Sequence, residues 1–236
     1  VFLLMFCAAA GGLYALDLSL STGGGVLLGC TFTRYTLEGD ASTGKVKSVQ
    51  SLDRFDFGGF VFADTPYAEA SVSLQSGSGS YRETMGSVDF AGMQYETALG
   101  ISLMGKYPFT LNERWSLFPM AGVEYLMAFV ERRRPDGSRV VDRTAGALPS
   151  DMDKNGNAYP LSAWNALLIK IGAGADCSLT RSIFLRGELL YGFRLQTVYE
   201  TGALEMAKKM LNISSPRYYG LTSGPNLKIA VGYRFL

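Results

Sequence analysis

Residues Trp164 to Gln196 read WNALLIKIGAGADCSLTRSIFLRGELLYGFRLQ and alternate between apolar and polar side chains over most of their length. A short polar joint, residues 178–182, divides them into two halves. In both halves one parity is apolar, and the other carries glycines and ionisable groups, among them Lys170, Asp176, Arg186 and Glu188. Because successive side chains of a strand point to opposite faces of a sheet, these residues predict a β-hairpin with one apolar and one polar face.

The apolar face of such a hairpin can lie against a protein core or against membrane lipid. Each half runs past the roughly 9–11 residues that a tilted strand needs to cross a bilayer, whereas strands of soluble proteins usually have about 5–6 residues. A soluble lipocalin-like barrel would also need large apolar residues on the inward parity, where this chain places glycine, lysine, arginine and glutamate. The pattern therefore favours a membrane barrel.

The composition narrows the classes of function. The 236 residues include 22 basic and 21 acidic side chains and no histidine. This balance gives no basic patch of the kind that nucleic-acid binding requires, so no nucleic-acid partner is predicted. Without histidine, the Ser-His-Asp and Cys-His mechanisms and the commonest metal ligand are excluded. We therefore expect that the protein is not an enzyme and that it has no cofactor.

The first residues, VFLLMFCAAAGGLYA, combine an apolar run with small residues before Leu16. This combination is typical of an export signal and its cleavage site. We expect residues 1–15 to be a cleaved signal peptide and residues 16–236 to form an outer-membrane β-barrel domain. A lipoprotein signal through Cys7 is the alternative, which the bulky Phe6 before it disfavours.

The period-two alternation recurs in eight segments, and the connections between them alternate in length. The four long, polar connections are residues 37–53, 76–87, 131–163 and 198–223, and the three short ones are centred on residues 64–67, 108–114 and 178–182. This arrangement predicts an all-β fold, an eight-stranded antiparallel up-and-down transmembrane β-barrel with four long external loops and three short periplasmic turns. The facing of the second strand, Phe55 to Ala63, stays ambiguous because both of its parities carry aromatic residues. The predicted location is the bacterial outer membrane, with outer-membrane lipid around the barrel.

The inward parity carries the candidate site, a network of charges in the lumen. Its predicted members are Glu96, Lys106, Glu124, Lys170, Asp176, Arg186, Glu188, Arg194, Lys228 and Arg234. Because carboxylates and cations share one face, we expect ion pairs rather than acid–base catalysis. If the joint at residues 178–182 were flanked symmetrically by Asp176 and Ile183, Lys170 would neighbour Glu188 diagonally, and Asp176 would neighbour Arg186. The inward glycines favour a partly free lumen, whereas the inward charges favour a plugged one. The sequence does not decide between these two interpretations.

A candidate metal site lies in the third long connection. Residues 151–157, DMDKNGN, copy the first half of a calcium-binding loop, in which oxygen ligands alternate around a glycine turn. The candidate ligands are Asp151, Asp153 and Asn155. The twelfth position is Ser162 rather than a bidentate glutamate, so a solvated polar turn is the better interpretation.

Two segments carry a resemblance to a known group of proteins. GAGADCSLTRSIFLRGELLYGF resembles the penultimate hairpin, and NLKIAVGYRFL the closing strand, of small outer-membrane barrels of the OmpW and OmpA-transmembrane type. The loop-rich style is also similar to small spirochaete outer-membrane proteins. The OmpW resemblance implies a barrel that binds or passes small, mainly hydrophobic molecules across the outer membrane. The alternative is a non-conducting barrel that displays its loops as an adhesin for host or surface ligands.

Overall fold

The computed structural model describes residues 19–41, 44–85, 88–133, 165–195 and 217–235. These ranges form nine strands: β1 (Ser21–Ala41), β2 (Gly44–Asp64), β3 (Ala68–Met85), β4 (Val88–Lys106), β5 (Phe109–Thr110), β6 (Trp115–Arg133), β7 (Ala166–Ser178), β8 (Ile183–Arg194) and β9 (Arg217–Arg234). Eight strands are long, and β5 is a two-residue ribbon on the first residues of β6. In the described part of the chain, no helix has the length and apolarity needed to cross a membrane.

The eight long strands form a closed antiparallel ring. Each pairs with the next along the chain, β4 pairs with β6, and β9 pairs back with β1. Following paired residues once around the ring from Gly23 leads back to β1 ten residues further on, through Phe62, Ser71, Ser102, Glu124, Leu168, Arg194, Thr222 and Thr33. Such a stagger accompanies strands that tilt relative to the barrel axis. The predicted eight-stranded antiparallel fold is confirmed.

The outer surface of the ring is apolar and its interior is charged. Each long strand contributes large exposed hydrophobic side chains to this lipid-facing belt, for example Val26, Val61, Leu74, Ile101, Val123, Ile171, Leu189 and Ile229. The inward positions of the same strands hold charged groups that are at most 2% exposed, including Glu69, Glu124, Lys170, Arg186, Glu188 and Lys228. Apolar side chains outside and polar ones inside are the arrangement of an outer-membrane barrel. The protein is therefore a transmembrane β-barrel of the bacterial outer membrane.

Strand pairing resolves the facing of β2. Phe60 and Phe62 point into the lumen, where they are 4% and 3% exposed, while Phe55 and Phe57 face outward and are more than half exposed. Phe62 lies opposite Gly23 of β1, and a methyl group at Gly23 would overlap its ring. The inward aromatic residue thus occupies space that a neighbouring glycine leaves.

Three of the predicted external loops are shorter than expected because the strands continue into them. The sequence predicts a loop over residues 37–53, but β1 ends at Ala41 and β2 begins at Gly44. Likewise β3 ends at Met85, β4 begins at Val88, and β9 begins at Arg217. In the extensions of β1, β2 and β3 the outward side chains are mostly polar, as at Arg34 and Lys47, because beyond the belt a strand meets water instead of lipid. The start of β9 differs, since Tyr219 and Leu221 are exposed there. Low apolar content was thus a poor sign of a loop here.

Inward glycines lie under aromatic rings in the periplasmic half of the barrel. A methyl group at Gly174 would overlap the ring of Phe118, and one at Gly232 would overlap the ring of Phe184. Both rings are at most 2% exposed. At these positions the glycines accommodate a plug instead of leaving a free lumen.

We predict that Gly174→Ala destabilises the barrel by about 1–3 kcal/mol, since overpacking a filled interior costs energy of this order. Gly187→Ala on the adjacent strand is the matched control, because its new methyl group would point outward with no atom within 4 Å. Urea unfolding of detergent-refolded protein, followed by tryptophan fluorescence, measures both. Equal stability of the two variants would contradict the packing described here.

Candidate functional site in the barrel lumen

Arg186 is the centre of the charged lumen. It lies on β8 directly opposite Asp176 of β7, to which it donates two hydrogen bonds, Nε to Oδ1 at 2.8 Å and Nη2 to Oδ2 at 2.9 Å. Its remaining terminal nitrogen, Nη1, lies 2.9 Å from Glu69 and 2.7 Å from Asp64. A planar guanidinium suits this task because its donors form a rigid fork. One cation therefore joins carboxylates from β2, β3 and β7.

Three phenylalanine rings enclose the Arg186 guanidinium. Its central carbon lies 4.6 Å from the ring centroid of Phe62 and 5.1 Å from those of Phe118 and Phe184. Cation–π contacts of this kind are stronger where water is excluded. Phe118 and Phe184 were absent from the predicted site. Their inward parity was the available signal, since each is flanked in the sequence by outward residues.

Two further cations complete the periplasmic cluster. Lys106 of β4 pairs with Asp64, which also accepts a hydrogen bond from Ser21. Arg234 of β9 donates to the Ser178 hydroxyl at 2.8 Å and lies 3.8 Å from Asp176. These groups close one end of the lumen from strands that are distant in the sequence.

The middle of the lumen holds two lysines. Lys228 lies opposite Glu188, with its Nζ 3.5 Å from Glu188 Oε2, 3.8 Å from Glu69 Oε1 and 4.8 Å above the ring of Phe60. Lys170 lies 2.6 Å from Glu124 Oε2 and donates to Asn226 at 2.8 Å.

The predicted diagonal contact of Lys170 with Glu188 is wrong. Lys170 pairs with Gly192, and Glu188 pairs with Gly174, four residues away along β7. The turn is not symmetric about Asp176 and Ile183, so Asp176 comes directly opposite Arg186 and Lys170 moves out of reach of Glu188. Lys170 instead pairs with Glu124 of β6, on the other side of β7, and Glu188 lies opposite Lys228 of β9.

A third cluster lies towards the external end. Arg54 of β2 pairs with Asp56 at 2.6 Å and with Glu96 of β4, while Thr31 donates to Asp56 at 2.8 Å. The sequence does not identify Arg54 and Asp56, because both parities of this strand carry aromatic residues and the predicted loop extends to Asp53. Arg194, a predicted member, lies beside this cluster and donates to Thr222 at 3.4 Å.

Two cavities border these clusters. A vestibule of about 310 Å³ opens at the periplasmic end and is lined by Asp64, Lys106, Phe118, Asp176, Arg186 and Arg234. A cavity of about 30 Å³, the upper cavity, lies between Glu124 and Arg54 and is also lined by Gln75, Arg194 and Asn226. Between them the lumen is filled by side chains at most 2% exposed, namely Leu27, Met104, Leu190, Lys170, Glu188 and Lys228. The described lumen therefore has no solute-sized passage from end to end.

The calcium candidates Asp151, Asp153 and Asn155 lie outside the described residues. Among the residues that are described, no group of three or more acidic or cysteine side chains is placed to hold a metal ion.

We predict that Lys170→Met lowers the stability of the refolded barrel by about 3–5 kcal/mol, because it leaves the Glu124 carboxylate buried without its cation. Adding Glu124→Gln should restore part of the loss, whereas adding Glu188→Gln should not. The unfolding free energies of the single and double variants are compared in two double-mutant cycles, one for Lys170 with Glu124 and one for Lys170 with Glu188. Coupling of Lys170 to Glu188 and not to Glu124 would overturn the register described above.

No protein-family model matches this chain, and no curated protein matches it. Similar solved structures include the outer membrane protein OprG from Pseudomonas aeruginosa, at 11% identity and a TM-score of 0.48 over 93% of this chain and 97% of that one. Neisserial surface protein A is 12% identical, with a TM-score of 0.34 over 90% and 99% of the two chains. Ail, the attachment invasion locus protein of Yersinia pestis, is 11% identical, with a TM-score of 0.30 over 92% and 100%. These are distant similarities of fold, and the assignment to the outer-membrane barrels rests on the strand pairing and the lipid-facing belt.

Proposed function

We propose that this protein is a non-conducting outer-membrane barrel that displays its external hairpins to bind ligands at the cell surface. The observation that carries the proposal is the filled lumen, in which ion pairs and phenylalanine rings close the space between the vestibule and the upper cavity. An eight-stranded barrel has an interior just wide enough for side chains to fill. Solute passage through the centre would require several buried ion pairs to separate together.

The hairpin of β1 and β2 supports display. Its strands remain paired from Ser21 and Asp64 to Ala41 and Gly44, and beyond Phe32 and Phe55 the outward side chains are polar except at Val49. From Arg34 to Ala41 the strand adds about 25 Å at 3.3 Å per residue. The ladder continues past the lipid-facing belt, so the hairpin forms a stiff projection rather than a slack loop.

The chemistry of this projection points to a polar partner. Arg34 pairs with Asp53 at 2.7 Å, and Lys47 pairs with Glu38 at 2.8 Å, all with partly exposed side chains. Exposed pairs of this kind contribute about 0–1 kcal/mol, so their charges can be re-paired by a ligand at small cost. A host or surface macromolecule with mixed charge fits such a face.

A second candidate function is the binding of a small hydrophobic molecule at the external mouth. Inward residues beyond the Arg54–Glu96 pair include Tyr35, Leu37, Leu52 and Tyr81, all less than 8% exposed. These apolar side chains, which stand among the buried polar residues Ser48, Glu83 and Gln94, support the binding of a hydrophobic solute. Movement of the solute across the membrane would still require the clusters below to open.

Refolded protein in planar bilayers should show no stable ion conductance, because the fixed charges of the lumen are paired with one another. A steady open level for the wild-type barrel would contradict the proposed closure.

Binding at the surface is tested by shortening the β1–β2 hairpin. Tyr35 and Gln50 are directly paired, so replacing residues 36–49 with an Asn-Gly turn keeps the register of the remaining ladder. Bacteria that display the shortened barrel should adhere less to cultured epithelial cells than those with the full barrel. Glu113→Ala, in an exposed turn at the opposite end, is the control and should adhere normally. Unchanged adhesion of the shortened variant would argue against the hairpin as the binding element.

The same hairpin predicts a pH dependence. Lys47 and Tyr219 donate hydrogen bonds to Glu38 and lower the pKa of its carboxyl group below the ordinary 4.5. The stabilisation from this contact is therefore fully present above the ordinary pKa and is lost as pH falls through the lowered one. Carboxyl-carbon NMR should place the midpoint of Glu38 below 4.5, and Lys47→Met should move it upward. The control is Lys45→Met. Lys45 lies opposite Asp40 in the ladder, so its replacement should leave the midpoint of Glu38 unchanged.

A further inference from the structure

One wall of the lumen is lined by small and polar residues, unlike the phenylalanine- and lysine-bearing walls around it. On β3 every inward position from the periplasmic end up to Tyr81 is polar or glycine, and β4 places a glycine and a serine beside them. We name this wall the polar seam, formed by Glu69, Ser71, Ser73, Gln75, Gly100 and Ser102. All five of its side chains are at most 8% exposed.

Several oxygen atoms along the seam have no hydrogen-bond partner among the described residues. They are Glu69 Oε1, Ser73 Oγ and, facing the seam from β8, both carboxylate oxygens of Glu188. Arg186 donates to the other oxygen of Glu69, Oε2, at 2.9 Å. The cations nearest the unpartnered oxygens are more distant, since Lys228 Nζ lies 3.8 Å from Glu69 Oε1 and 3.5 Å from Glu188 Oε2, and Arg186 Nε lies 4.0 Å from Glu188 Oε1. Buried polar atoms in proteins are almost always satisfied by protein groups or by ordered water. Between polar groups more than about 3.5 Å apart, a bridging water can satisfy both partners.

Polar groups follow one another along the seam from the vestibule towards the upper cavity. At the vestibule, Arg186 lines the cavity and contacts Glu69. Lys228 Nζ, which lies beside Glu69 and Glu188, is 3.4 Å from Ser71 Oγ, and Ser71 Oγ is 2.6 Å from Ser102 Oγ.

The track continues past Gly100 to the upper cavity. A methyl group on Gly100 would stand 2.5 Å from Ser73 Oγ and 3.0 Å from Glu124 Oε1, so the missing side chain leaves these two polar groups facing one another. Glu124 and Gln75 both line the upper cavity, whose volume of about 30 Å³ is enough for a water molecule. Arg194, which lines the same cavity, is partly exposed.

We propose that the polar seam binds a single file of water molecules and that the barrel passes water while excluding ions and larger solutes. Pore diameter and the hydrogen-bonding groups along a path decide such selectivity. Bulky side chains fill the rest of the cross-section, and the seam is its wall of smallest side chains. An ion entering the seam would meet fixed charges of both signs, from Glu69, Glu188 and Lys228. This role is separate from surface display and does not depend on any external ligand.

The test measures osmotic shrinkage of proteoliposomes by stopped-flow light scattering. Wild-type barrels should accelerate shrinkage at least about twofold over protein-free liposomes, because a path lined with hydrogen-bonding groups admits water. Ser73→Val should return the rate to the protein-free value, since it replaces an unpartnered hydroxyl with a bulkier apolar group. Ser76→Val is the matched control. It makes the same change on the same strand, but Ser76 faces outward and its hydroxyl pairs with Thr97 at 3.3 Å.

Gly100→Ala is a second blocking variant in case Ser73→Val does not fold, which the heat-dependent gel shift of refolded barrels reports. Wild-type shrinkage no faster than that of protein-free liposomes, or equal loss in Ser73→Val and Ser76→Val, would overturn the water file. A parallel swelling assay with sucrose and with potassium chloride separates the two proposals. Solute entry would overturn both the water selectivity and the closed lumen, whereas a tight but water-impermeable barrel would overturn only the water file.

Discussion

Every backbone N–H and C=O group in the hydrocarbon region must be paired, because lipid offers no hydrogen-bond partner and an unsatisfied group costs several kcal/mol. For a sheet this constraint requires a closed ring, and here the pairing of β1 with β9 and of β4 with β6 closes it. The one place where the β1–β9 ladder skips residues, at Cys30 and Thr31, lies opposite Gly224 and Pro225. Proline has no N–H to donate, so the interruption has a local cause. Elsewhere the continuous pairing fixes which side chains face the lumen and which face the lipid.

Closure has a second consequence, which is that the polar face of every strand is enclosed. Charges held in such a space are costly unless they are paired. Around Arg186 they are paired, because Asp64, Glu69 and Asp176 all contact its guanidinium. The phenylalanine rings beside it fill the remaining volume. They can do so because glycines on neighbouring strands, such as Gly23 and Gly174, leave room for them. Ion pairs, rings and glycines therefore form one packed unit.

The outward face of the barrel wall changes along the barrel axis. Within the belt its outward face is apolar, and beyond Phe32 the outward face of β1 becomes polar while its pairing with β2 continues. The paired extension gives the external hairpins the stiffness that a binding surface needs. Inside, the small residues of β3 and β4 leave the polar seam where other walls present bulky side chains. The proposed external binding surface and the proposed water path therefore lie on different parts of one barrel.

The sequence by itself determined the strand type, the approximate strand number and the parity of most side chains, because the period of two is a local property of each strand. The contact of Asp176 with Arg186 was also accessible, since both flank one short turn. The partners of Lys170 and Glu188 were not accessible, because a shift of a few residues in register changes which inward groups meet. The lumen roles of Arg54, Phe118 and Phe184, and the strand extensions beyond the belt, required the tertiary structure. These features depend on the stagger of the closed ring, which sets which glycine faces which ring and which cation faces which carboxylate across strands far apart in the chain.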